Sequence, residues 1–234
     1  MAVASRLVAI HQPNFLPWLG YFDKIARADV FVLLDDAQFS KGSLTNRVRI
    51  LINGEPRWLT VPVSRAGGSA QPISEVEIRD GERWRERGVE TVRHAYSRAP
   101  HFDEAFAMVE PLLREPSDRV ADYNERAIRV LAGRLVPGGA EVVRSSSLDS
   151  GGQATERLIA IVDAVGGDAY LAGGGAGGYQ EDERFERAGI ELVRQEFSHP
   201  DYPQLSDEPV HGLSVVDALM SCGLERTAAM LSGG

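Results

Sequence analysis

Apolar and polar positions along the first 36 residues follow the order strand, helix, strand. Residues 7–10 form a continuous apolar run that ends at His11, which predicts a short buried strand. Pro17 suits a first helical turn, and the apolar residues after it, as far as Ala28, are spaced three and four apart. Residues 30–34 are almost all apolar, which is typical of the interior of a parallel sheet. This stretch therefore predicts a β-α-β unit.

The rest of the chain continues to alternate between predicted strands and predicted helices. Asn53-Gly54 between two β-branched and aromatic runs, residues 46–52 and 57–63, predicts a hairpin. Strands that alternate with helices at this spacing predict a Rossmann-like layered α/β sandwich, with a largely parallel sheet, an inserted β-hairpin and a helical segment. No long linker divides residues 1–234, so we expect a single domain. The further predicted strands cover residues 73–79, 141–144, 169–172 and 190–195, and the further predicted helices cover residues 84–99, 102–113, 119–135, 155–165, 185–188, 214–222 and 224–231.

Composition excludes several classes of protein. With 43% hydrophobic and 25% charged residues the chain is too apolar for a disordered protein. Its apolar runs fall far short of the roughly 20 residues that cross a bilayer. The start of the chain shows no signal-peptide pattern, so we expect a cytoplasmic protein. The single cysteine, Cys222, excludes an internal disulfide, and the histidine spacing gives no metal motif, so we expect no metal.

Net charge is unevenly distributed. The whole chain carries −9, which argues against a general nucleic-acid binder, but residues 1–65 carry +3 and the remaining 169 residues carry −12. Residues 40–65 contain five basic side chains and one acidic side chain, a pattern that predicts a positive patch. The alternative is that these arginines only face water.

The first candidate for chemistry follows the first strand. Ligands of open α/β sheets bind at the carboxyl ends of strands, beside a helix N-terminus. His11 in that position can act as an acid or base, and the amide of Gln12 can hold a polar ligand. The alternative is that His11 only caps the helix.

A second polar group follows the second strand. If the two strands are neighbours, Asp35, Asp36, Gln38 and Lys41 lie beside His11. A carboxylate of this group could orient His11 or bind a substrate amine, and Lys41 could bind a carboxylate or phosphate. The alternative is an ordinary turn after the strand.

Two later loops complete the candidate site. The glycine-rich run 173–178 contains Gly174 and could bring backbone amides close to a substrate, although its G-x-G-x-x-G spacing is trivial and the acidic residues after it would repel a phosphate. The proline-fixed loop 198–204 presents His199 and Tyr202. The alternatives are a flexible surface turn and a Tyr202 that packs beneath its loop.

Several segments together resemble the WbqC-like family. The opening motif, HQPNFLPWLGYFDKI at residues 11–25, is long and specific, and the similarity covers nearly the whole chain. The chain departs from the family pattern at Arg87-Gly88, where members tend to have Lys-His, and in the glycine loop, where many members have a serine and a lysine. The other matching pieces are Ala28-Asp29, Asp35, Gln38-Phe39, Asn46-Arg47, the segment 58–62, Tyr96, Ala99-Pro100, Ser146-Ser147, His199-Pro200, Tyr202, Gln204, Leu213-Ser214 and Asp217.

The resemblance implies transfer of an aminoacyl group, often glycyl, or another acyl group to a small amine or amino sugar, in natural-product or polysaccharide biosynthesis. The implied donor partner is an acyl carrier protein thioester or an aminoacyl-tRNA, and no cofactor is needed. In this reading His11 deprotonates the amine, Asp35 orients it, and Gln12, Asn46 or an amide of the glycine loop stabilises the oxyanion. The resemblance also includes Asn14, Tyr21 and Arg47 among the substrate-binding residues.

Two alternatives remain open. An ATP-dependent ligase or nucleotidyltransferase would place His11 and Lys41 at the triphosphate. A weaker similarity in layout to pantothenate synthetase and related ligases points the same way, but Asn14 stands where those enzymes have a second histidine. The third possibility is a sugar-binding or carrier-binding subunit with no catalytic activity.

Overall fold

The computed structural model describes residues 5–64, 70–79, 83–173 and 182–231. Its strands are β1 (Leu7–His11), β2 (Val30–Leu33), β3 (Arg47–Ile52), β4 (Glu55–Thr60), β5 (Val63–Ser64), β6 (Glu77–Ile78), β7 (Glu141–Arg144), β8 (Ala169–Ala172) and β9 (Glu191–Arg194). Its helices are α1 (Leu19–Arg27), α2 (Trp84–Tyr96), α3 (Phe102–Arg114), α4 (Val120–Leu135), α5 (Ala154–Ala164), α6 (Asp182–Arg187) and α7 (Val215–Ala229).

Five parallel strands form the central sheet in the order β7-β2-β1-β8-β9. The chain starts in the middle at β1, moves outward through β2 and β7, and returns to build β8 and β9 on the other side of β1. The direction of winding therefore reverses between β1 and β8. In open α/β sheets such a reversal leaves a crevice at the carboxyl ends of the two strands, where ligands bind.

Alternate residues of each strand supply the two faces of the sheet. Ala9, Phe31 and Leu171 belong to the larger core, which also contains residues of α1, α2, α3, α4 and α7. Val8, Val32 and Tyr170 point to the opposite face, where they pack with residues of α5 and α6. The result is a three-layer sandwich with the parallel sheet in the middle, as the sequence pattern predicts.

The inserted hairpin is also confirmed. Strands β3 and β4 pair antiparallel, and both turn residues, Asn53 and Gly54, have positive φ, as a two-residue hairpin turn requires. The predicted strand 73–79 is different: Ile73–Glu75 is a 3-10 turn and only Glu77–Ile78 is a strand. The turn forms because the amides of Ile73 and Ser74 donate to carbonyls of the loop after β2.

The helical predictions agree with the structure to within a few residues. The two predicted terminal helices both lie within α7, where Gly223, with φ +76°, separates them by a kink. In the part of the chain that the structure describes, no helix is both long enough and apolar enough to cross a membrane.

Candidate functional site

A cleft of about 610 Å³ lies where the winding of the sheet reverses. His11 ends β1, Gly173 follows β8 and Gln195 follows β9, so the cleft sits at the carboxyl ends of adjacent strands. Its size is typical of a site for a small ligand. Helix α1 adds Gly20 and Lys24 to the lining. Further lining residues come from the start of α1, the hairpin and the segment after β9: Trp18, Arg49, Trp58, Phe197 and His199.

The ring of His11 is held in one orientation and is neutral. Its Nδ1 lies 3.1 Å from the carbonyl oxygen of Gln12, and Tyr21 donates to the same carbonyl at 3.1 Å while its ring packs edge-on against His11. A carbonyl only accepts, so Nδ1 carries the proton and Nε2 keeps the lone pair. Burial, with help from the nearby ammonium of Lys24, lowers the pKa of His11 from 6.5 to about 4. At neutral pH His11 is therefore a proton acceptor.

Lys24 lines the cleft, and sequence reasoning did not single it out as a site residue. It lies one helical turn after Gly20 on α1, so both residues face the cleft, and its side chain is only 4% exposed. Burial lowers the pKa of Lys24 from 10.5 to about 8, against the opposing effect of Asp23. The helix pattern offered one signal: a lysine between Phe22 and Ile25, next to the apolar face of an amphipathic helix.

Aromatic rings form one wall of the cleft. The ring centroids of Trp18 and His199 lie 5.1 Å apart, and Phe197 packs edge-on against both. His211 stacks behind His199 with its centroid at 5.3 Å. Burial lowers the pKa of His199, and the charges of His211 and Arg49 act in the same direction.

The hairpin supplies the rim. Trp58 is 47% exposed and Leu44 is 40% exposed, and both border the cleft. The guanidinium of Arg47 lies 4.0 Å from the centroid of the Trp58 ring, which is a cation–π contact. Arg49 lines the cleft and donates to the carbonyl of His211 at 2.8 Å. The predicted positive patch therefore includes residues at the mouth of the cleft.

Asp35 hydrogen-bonds to Ser145 and Ser146 rather than to His11. Its carboxylate accepts from the amide of Ser146 at 3.0 Å, from the hydroxyl of Ser146 at 2.7 Å and from the hydroxyl of Ser145 at 3.2 Å. The reason is topological: β2 has β1 on one side and β7 on the other, and the turn after β7 brings these serines to the carboxylate. Sequence reasoning considered only the neighbour β1.

Tyr202 belongs to a buried network centred on Asp217. The Asp217 carboxylate, which has no exposed surface, accepts from Tyr96 at 2.9 Å, from Tyr202 at 2.9 Å and from Gln204 at 3.2 Å. Burial raises the pKa of Asp217, and these hydrogen bonds act in the opposite direction. Three separate segments that carry the motif residues therefore meet at one carboxylate. Its hydrogen bonds link α2, α7 and the 198–211 loop.

Of the predicted site residues that the structure describes, His11 and His199 line the cleft. The carbonyl of Gln12 accepts a hydrogen bond from His11, and the side-chain amide of Asn46 donates to the carbonyl of Val61. Asn14 is buried, whereas Gln38 and Lys41 are exposed. Gly174 lies outside the described residues. The roles assigned to all of these residues stay predictions.

Metal and thiol chemistry receive no geometric support in the described part of the chain. No group of three or more His, Cys, Asp or Glu side chains there is arranged to hold a metal ion. The thiol of Cys222 is buried, and burial raises its pKa, so it is a poor nucleophile.

Fold and cleft together define a doubly wound α/β protein with a small-ligand site at the point where its sheet reverses. Comparison with known proteins places this chain more narrowly: it belongs to the WbqC-like protein family, whose model matches residues 12–229. It is also 31% identical over 222 residues to the uncharacterized protein Rv1507c of Mycobacterium tuberculosis, a match that covers 94% of this chain and 95% of that protein. No solved structure matches it.

Proposed function

We propose that this protein is a transferase that forms an amide by moving an acyl or aminoacyl group onto a small amine. The observation that carries the proposal is the state of His11. Its ring is neutral, its Nδ1 proton is committed to the Gln12 carbonyl, and it lies at the point of the sheet where ligands of this fold class bind. A fixed, neutral imidazole that keeps the lone pair on Nε2 can accept the proton that an attacking amine loses.

The reaction uses His11 as a proton relay. The amine nitrogen attacks the acyl carbon, the new C–N bond forms, and Nε2 of His11 takes the proton from the positively charged nitrogen of the tetrahedral intermediate. Collapse of the intermediate breaks the bond to the thiol or hydroxyl leaving group, and His11 passes the proton to that group. A pKa of about 4, lowered by burial and by Lys24, makes the imidazolium short-lived and favours this second transfer.

The donor we propose is an acyl carrier protein thioester or an aminoacyl-tRNA, met in the cytoplasm. Both are acidic macromolecules. The hairpin that forms the mouth of the cleft carries Arg47, Arg49 and the exposed Arg57, and the lining of the cleft within the described residues contains no carboxylate. A positive rim of this kind steers an acidic partner toward the opening.

The test is a product assay by mass spectrometry. The protein is incubated with glycyl-loaded carrier protein or glycyl-tRNA and with glucosamine or alanine as acceptor, with and without ATP. We expect an amide product that His11→Ala abolishes and that His94→Ala, a change at an exposed histidine on α2, leaves unaltered. No amide with either donor, or an equal rate in His11→Ala, would contradict the proposal; pyrophosphate release with ATP would favour a ligase.

A further inference from the structure

Lys24 places a buried ammonium at the cleft. The side chain is 4% exposed and lines the cleft, and within the described residues it forms neither a hydrogen bond nor an ion pair. Burying a charge without a partner costs free energy, so such groups usually pair, release their proton or wait for a ligand.

The adjacent carboxylate of Asp23 attracts the charge of Lys24 but forms no hydrogen bond or ion pair with it. Asp23 accepts from the Gln195 amide at 2.6 Å and lies 3.8 Å from the guanidinium of Arg27. Consecutive helical residues point about 100° apart, so Asp23 faces these partners while Lys24 faces the cleft. The other cation in the cleft lining, Arg49, adds to the positive charge.

Space beside the ammonium is kept open by a glycine at the end of β8. A Cβ atom on Gly173 would lie 3.1 Å from Nζ of Lys24. A side chain at this position would fill the volume next to the charge. With glycine at this position, Lys24 lines the cavity.

Residue usage in this chain also separates Lys24 from the other cations. The chain has 25 basic residues, of which only Lys24 and Lys41 are lysines. Arginine is the more common choice for ion pairs inside a protein, because its planar guanidinium makes two parallel hydrogen bonds. A lysine presents a compact point charge that can follow a small ligand.

We propose that Lys24 is the anion-binding residue of the cleft and that the small molecule bound beside His11 carries a carboxylate or phosphate group. The identification of that molecule as the amine acceptor rests on the proposed function. The acceptor would place its anion on Lys24, its amine at Nε2 of His11 and its remaining apolar surface against Trp18 and His199.

The test is binding in the absence of any acyl donor, measured by isothermal titration calorimetry. Two matched pairs separate the sources of the anion: glucosamine 6-phosphate against glucosamine, and alanine against alaninamide. Each compound is titrated into the wild-type protein and into Lys24→Met, which keeps an unbranched side chain about as long as the lysine stem and removes the ammonium. Lys24→Gln is a second neutral variant, and circular dichroism verifies the fold of both.

We expect the member of at least one pair that carries the phosphate or carboxylate group to bind the wild type at least about tenfold more tightly than the member without it, and both variants to lose that preference. The pair that shows the preference identifies the anion as phosphate or carboxylate. The proposal is overturned if no compound binds at up to about 10 mM, if the members with and without the anionic group bind equally, or if both variants keep the preference. Because no turnover is involved, binding that depends on Lys24 would survive a failure of the acyl-transfer assay.

Discussion

Replacing Lys24 by methionine should make this protein more stable at neutral pH. The substitution keeps an unbranched stem of about four atoms and removes the buried ammonium with its charge. A group that evolution retains for binding is often held at a cost in stability, and its removal then stabilises the fold. The free energy of unfolding of the variant should therefore exceed that of the wild type.

The size of the effect follows from the pKa of Lys24, which burial lowers from 10.5 to about 8. One pH unit corresponds to about 1.4 kcal/mol, so the charged lysine costs the native state about 3 kcal/mol. Between pH 8 and pH 10.5 the unfolded chain still holds a proton that the native state has released. The stability of the wild type therefore rises with pH through this window, and the advantage of Lys24→Met shrinks from about 3 kcal/mol at pH 7 toward zero.

Urea unfolding followed by circular dichroism at pH 7 and at pH 9.5 measures both parts of this prediction. Lys41→Met is the matched control, because Lys41 is exposed and its charge is solvated in both states. The difference between variant and wild type removes the contribution of tyrosines that ionise at high pH. If Lys24→Met were less stable than the wild type at pH 7 while Lys41→Met was unchanged, the ammonium would have a partner in the native protein and the reasoning would fail.

Three further predictions concern the same region. In Lys24→Met the pKa of His11, measured by NMR titration, should rise above its wild-type value of about 4 because one of the two causes that lower it is gone; an unchanged value would show that burial alone sets it. Gly20→Ala should move the Trp18 ring, since a Cβ there would lie 2.0 Å from it, and a changed tryptophan emission together with weaker ligand binding would report the movement; wild-type emission and binding would contradict it. Asp217→Ala should lower the free energy of unfolding by about 3 kcal/mol, because it leaves two tyrosine hydroxyls and an amide without their acceptor, whereas a loss below about 1 kcal/mol in urea unfolding would mean that solvent replaces the carboxylate.

The sequence was most informative where local pattern and burial agree. The apolar run before His11, the helix after Pro17 and the Asn53-Gly54 turn each lie where the pattern predicts them. The segment 73–79 was less predictable, because its 3-10 turn depends on hydrogen bonds to a loop some 35 positions earlier in the chain. A periodic pattern carries no information about such a partner.

Only the tertiary structure showed which side chains of distant segments contact each other. Asp35 follows β2 as expected, yet its partners come from the turn after β7, a strand more than 100 residues later. Tyr96, Tyr202 and Asp217 are unremarkable singly, and only the packing of three segments joins them. Lys24 reads as an ordinary helical lysine until the cleft around it is known.

The sequence by itself determined the α/β sandwich and the position of His11 at the end of the first strand, because strand and helix periods and turn residues are local signals. Only the tertiary structure decided the chemical character of the cleft. Strand order determined which loops meet there, and burial made His11 neutral. Asp23 bonds to other groups, so Lys24 has no hydrogen bond or ion pair among the residues that the structure describes. These are properties of neighbours distant along the chain, and their electrostatic effects depend on distances that no local pattern specifies.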